Sequence, residues 1–158
     1  MSWSQVTWKE SAHVHSDAPV VVERALHFAY RQQWKGGHNT PAASAPASQL
    51  FFAEGYTGNP GSQFETWVLV QNTAEARIQA RIDYLLTTGE VVSRTLQLPP
   101  LSRTTVFANQ VLDREDLEFS IRLTCTDGSA SLLAERAMYF RYACPMGESD
   151  GGHYAAGY

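Results

Sequence analysis

Lysine is almost missing from this chain. Lys9 and Lys35 are the two present, no Lys/Arg cluster forms a basic face, and the formal charge is −4. Binding a phosphate backbone requires such a face, so nucleic acid is excluded as the expected partner. Long apolar runs are missing too. The longest, Ala18–Val22, is stopped by Glu23 and is far too short to cross a bilayer. The N-terminus lacks the basic and apolar regions of a secretion signal. Cysteine occurs twice, at Cys125 and Cys144, with a spacing that fits no zinc or redox motif. No G-x-S-x-G, phosphate loop or H-E-x-x-H is present, and Glu54 with Glu65 is a carboxylate pair of the kind any chain this size offers. The expectation is a protein that is not an enzyme and takes no cofactor and no metal.

Helical periodicity is absent as well, and period two takes its place. In "ARIQARIDYLL" the residues Ile78, Ala80, Ile82, Tyr84 and Leu86 fall on one face, with Arg77, Gln79, Arg81 and Asp83 on the other. "TTGE" turns at Gly89, and "VVSRTLQL" returns. "LEFSIRLTC" alternates Phe119, Ile121, Leu123 and Cys125 inward, "TDGS" turns, and "SLLAERAMYFRY" comes back. Six or seven such strands lie between Leu50 and Tyr142. Apolar faces of this kind must cover one another, so the pattern predicts an all-β, immunoglobulin-like two-sheet sandwich of about seven strands. Its expected core is Phe119, Ile121, Leu123, Ile78, Ile82, Tyr84, Leu69 and Phe140. Cys125 is expected in that core, unbridged to Cys144 in a loop beyond the last strand.

One strand is written twice. "ERALHFAY" at Glu23–Tyr30 and "ERAMYFRY" at Glu135–Tyr142 share five of eight positions. "GGH" follows each, at Gly36–His38 and Gly151–His153, and the spacing between copies is 112 residues for the strand and 115 for the tail. That period is the size of one sandwich domain. Residues 1–49 therefore read as an N-terminal extension resembling the end of a preceding module, with a strand over 19–30 and an Ala/Ser/Pro/Gly-rich linker over 36–49. Residues 50–158 read as a whole module.

"FFAEGYTG", then "FETWVLVQN", then "SLLAERAMYFRY…GGH" resembles a tandemly repeated immunoglobulin-like sandwich module of bacterial surface and secreted proteins. Three separated motifs occur in the family's order across residues 50–153. Thr73 and Ala137 depart from it, each standing where proline is common. The resemblance implies a structural or adhesive module at the cell surface or outside the cell, and no chemistry.

Two candidate sites follow. The copied strand places Val20, Val22, Arg24, Leu26, Phe28 and Tyr30 on one face, matching Leu132, Ala134, Arg136, Met138, Phe140 and Tyr142. One module offers one groove for such a strand, so the surplus strand is the expected assembly interface. It would link copies of the chain head to tail by strand donation, into a filament or array, or else fold back through the linker onto its own module as an added edge strand. The alternative is a carbohydrate-binding loop built from Glu54, Tyr56, Asn59 and Trp67, with a glycan as partner. Arg136 is expected to pair with an acidic residue such as Glu54 at the sandwich edge. The "GGH" glycines are expected to make a sharp turn capped by the histidine.

Overall fold

The computed structural model describes residues 11–30 and 34–158, with backbone alone at Tyr30. The chain is all-β. Its strands are β1 (Glu23–Tyr30), β2 (Trp34–Pro41), β3 (Gln49–Tyr56), β4 (Ser62–Asn72), β5 (Ile78–Leu86), β6 (Val91–Leu98), β7 (Arg103–Phe107), β8 (Glu118–Cys125), β9 (Leu132–Cys144) and β10 (Gly147–Ala156). One short helix, α1 (Ala108–Leu112), follows β7. Among the described residues three antiparallel sheets form, in the orders β1-β2, β10-β9-β4-β7 and β3-β8-β5-β6.

The two four-stranded sheets face each other. Phe52, Ile82, Tyr84, Ile121 and Leu123 from one meet Val68, Val70, Leu132 and Ala134 from the other in a single buried core. Period two decides which residues enter it, because a strand sends alternate side chains to opposite faces. The tip between β5 and β6 needs Gly89 at φ +88°, where the left-handed backbone costs a glycine nothing. The chain end ties the two sheets together along one side. Gly157 N–H donates to Ala134 O at 2.9 Å, and Tyr158 exchanges backbone hydrogen bonds with Phe51 at 2.7 and 3.3 Å.

Several expectations need correction. Leu69 and Phe140 are not in the central core. β4 is apolar on both faces, and Val68 and Val70 are the residues that point inward. Phe140 instead stacks on Phe64 at 5.6 Å outside that core. Asp83 is not on a wet face. It is 1 % exposed, accepting from Ser93 Oγ at 2.6 Å and Arg122 Nη2 at 2.8 Å. Burial alone would raise its pKa, but Ser93, Arg122 and Arg81 outweigh it and hold the carboxyl below its ordinary value. β8 and β9 do not form a hairpin, since "TDGS" carries the chain from one sheet to the other. The linker begins later than expected, because β2 occupies its first part. Both "GGH" segments are strand rather than turn. Cys125 is 2 % exposed and free. Cys144 is also free but only partly buried, and it ends β9 and leads into a further strand.

Tyr84 is fully buried, and its hydroxyl has no hydrogen-bond partner among the described residues. Burial pushes its pKa up. An unpaired buried hydroxyl is destabilising, so Tyr84→Phe is expected to raise stability by about 1 kcal/mol in chemical denaturation. A loss of that size would show that the hydroxyl is bonded after all.

Candidate functional site

The sequence repeat is a repeat of a whole hairpin. In β1–β2, Phe28 pairs with Gly36, His27 with Gly37 and Leu26 with His38. In β9–β10, Phe140 pairs with Gly151, Tyr139 with Gly152 and Met138 with His153. The registers are the same. So is the hydrogen bonding that continues each ladder: Ala42 N–H donates to Val22 O, and the equivalent Gly157 N–H donates to Ala134 O, both at 2.9 Å.

The paired glycines have a steric reason. A Cβ on Gly36 would stand 2.8 Å from the Phe28 ring, and one on Gly151 would stand 3.0 Å from the Phe140 ring. On the other face, a Cβ on Gly37 or Gly152 would stand 2.8 Å from His27 or Tyr139. Each hairpin thus lays one ring over a glycine on each face. Glycine alone gives the ring room to lie flat, and the ring restores the burial that a strand glycine lacks.

The first hairpin sits on the second. Its inner face, with Arg24, Phe28, Trp34 and His38, covers the outer face of β9 and β10. Arg24 Nη2 reaches Glu135 Oε2 at 2.8 Å, and its guanidinium lies 5.5 Å from the centre of the Tyr154 ring. Phe28 meets Tyr139 edge to face at 5.1 Å, and His38 stacks on Tyr154 at 3.6 Å. Burial, then Arg24, then His153 push the His38 imidazole below its ordinary pKa. Phe28 and Trp34 are 7 % and 3 % exposed and form a second apolar cluster with Ala137 and Tyr139, extended by Trp67, Leu69 and Tyr154. The half-exposed Arg24–Glu135 pair contributes at most about 1 kcal/mol. Burial of the two aromatic side chains, at about 1.5–3 kcal/mol each, holds the layer in place.

Of the six expected interface residues, Phe28 is buried, Arg24 is paired, and Leu26 and Val22 are half-buried. Val20 is 59 % exposed, and the neighbouring Val21 is 93 % exposed. The Tyr30 side chain lies outside the described residues. The sequence reading missed β2, Trp34 and the receiving face of Glu135, Tyr139 and Tyr154. The signal was present in the "GGH" repeat, which reads as a turn because glycine is depleted in strands.

Of the alternative loop residues, Tyr56 and Asn59 meet, but the four do not line one cleft. Glu54 belongs to the sandwich end, where its Oε1 accepts from Arg136 Nη2 at 3.3 Å and lies 3.4 Å from His153 Nε2. This is the pair expected for the 3 % exposed Arg136. Burial first, then Arg136, lower the His153 pKa. Tyr56 Oη donates to Asp116 at 2.7 Å and accepts from Asn59 Nδ2 at 2.9 Å, while Asn59 Oδ1 closes its own loop on Gly61 and Ser62. Trp67 is on the outer face, stacked on Phe107 at 4.2 Å with its indole N–H on Glu65. Asn59 lines a cleft of about 250 Å³ with Trp34 and Phe107, whereas Glu54 and Tyr56 line a different one. Among the described residues no group of three or more His, Cys, Asp or Glu side chains is placed to hold a metal.

No family model matches the chain. No curated protein matches it either. A solved crystal structure, Thermotoga maritima 1070, is similar in fold: the TM-score is 0.58 at 15% identity, covering 72% of this chain and 94% of that one.

Proposed function

We propose that this chain is a non-catalytic structural module that works by protein–protein contact. It is read as an immunoglobulin-like sandwich in the broad sense of two packed antiparallel sheets. The duplicated hairpin carries the reading: a closing element present twice, in the same register, has one place inside the sandwich and one outside it. The outer copy extends the module with a further strand edge at β1. Edges that differ at the two ends of a molecule associate head to tail, giving a ring or a filament rather than a two-fold dimer. A cell-surface or extracellular setting fits this reading and the family resemblance. The carbohydrate alternative would draw on Glu54, Tyr56, Asn59 and Trp67 together, and it has less support because Asn59 lines one cleft while Glu54 and Tyr56 line another.

Light scattering behind size exclusion, across a wide concentration range, tests the reading. The expected result is a mass above that of the 17.5 kDa chain, growing with concentration. A monomer at every concentration, together with sugar-specific binding on a glycan array that Tyr56→Ala abolishes in a folded protein, would replace it with the alternative.

A further inference from the structure

We infer that the open edge of β1 is a docking edge for a β4-type strand, presented by a neighbouring sandwich module whose own closing hairpin is not in place. The inference deepens the structural-module reading and rests on it. β9 shows what the edge is for. It bonds β10 on one side and β4 on the other, from Ser62↔Tyr142 to Asn72↔Leu132. β1 bonds β2 as β9 bonds β10, but among the described residues nothing pairs with its other side.

The parity of the backbone agrees. Val22 O points to the β2 side, just as Ala134 O points to the β10 side. On a strand, alternate residues direct both backbone groups to opposite edges. Glu23, Ala25, His27 and Ala29 therefore aim their N–H and C=O groups at the open edge. Their equivalents Glu135, Ala137, Tyr139 and Arg141 stand opposite Leu69, Trp67, Glu65 and Gln63 of β4.

The segment just before β1 supports the same conclusion. Leu132 and Ala134, paired with Asn72 and Val70, are buried in the second copy. Their counterparts Val20 and Val22 lie outside any strand, and Val20 and Val21 are exposed. The copy has kept the apolar residues of a paired strand without the pairing. Transferred through the repeat, the β4 register specifies the occupant: an aromatic residue opposite Phe28, a small polar residue opposite Leu26, and a β-branched residue opposite both Arg24 and Val22. Half-buried Trp67 and Leu69 continue the apolar face beside Phe28, on which such a strand would rest.

The probe is a labelled peptide of residues 62–72, SQFETWVLVQN, added to the full chain. Its control is the same peptide N-methylated at Glu65 and Trp67, which removes the N–H groups that face the edge. The expected result is saturable binding, weakened at least about tenfold by the methyl groups and by Ala25→Pro. Hydrogen exchange should slow at Ala25, His27 and Ala29. No saturable binding up to about 1 mM would overturn the inference. So would equal binding of the methylated peptide, or protection confined to β6, β7 or β9. If the peptide fails while the chain still assembles by light scattering, this edge is refuted and the structural-module reading stands. Failure of both removes both.

Discussion

Asn72→Leu is expected to lower stability by about 3–5 kcal/mol, enough to unfold much of a marginally stable domain. Asn72 is fully buried at the end of β4. Its Nδ2 donates to Ala76 O at 2.8 Å, Pro99 O at 2.9 Å and Leu98 O at 3.3 Å. Its Oδ1 accepts from Ala74 N–H at 2.8 Å. One amide therefore ties the β4–β5 connection to the end of β6, which belongs to the opposite sheet. Leucine has nearly the same shape but satisfies none of these groups. Each buried polar group left unpaired costs about 1–3 kcal/mol, and water reaches the part-buried ones, which keeps the total below the simple sum. Urea denaturation measures the effect. A loss under about 1 kcal/mol would show that the loop carbonyls find other partners.

Ile82→Ala is expected to cost about 2–5 kcal/mol, and Ile82→Val about 0.5–1.5 kcal/mol. Ile82 is fully buried in β5, between its cross-strand neighbours Leu123 of β8 and Arg94 of β6. Strands hold the wall of the cavity from both sides, so the site cannot collapse onto the missing atoms. The valine variant separates this cause from a general intolerance of change. A cavity effect is graded, while a backbone disturbance would make the two variants alike. An alanine effect no larger than the valine effect would refute the assignment of Ile82 to the core.

Strands with one apolar and one polar face are legible in the amino-acid sequence. β5, β6 and β8 are where alternation places them, and Phe119, Ile121, Leu123, Ile78, Ile82 and Tyr84 share one core. β4 is legible as a strand but not in its facing, because Trp67, Val68, Leu69 and Val70 offer apolar side chains to both sides. β2 is illegible because its glycines are explained by rings on another strand. Asp83 is misplaced by alternation because a charge on the outward parity is buried here by Ser93 and Arg122, which approach from β6 and β8. The passage from β8 to β9 across sheets leaves no mark in the turn. Asn109, whose amide bonds Thr57 O, Phe64 O and Thr66 N–H, escapes notice for the same reason as the bonds of Asn72. A single polar residue bonding distant backbone has no period. The Arg136–Glu54 pair is legible because an arginine on the apolar face of a strand requires a partner.

The duplicated hairpin also bears on how the chain is made. Synthesis runs from the N-terminus, so β1–β2 and then β4 emerge while β9 has yet to be built. β1 and β2 are close in sequence and can pair early, whereas β4 waits for a partner far along the chain. For that interval the nascent chain holds, upstream of β4, a near copy of the strand that β4 will pair with. β9 then brings contacts that β1 does not make, in the bridge between Ala47 and Leu132 and the approach of Arg136 to Glu54. In the finished fold β4 has β9 as its partner, and the first hairpin stands outside the sandwich with that pairing unused.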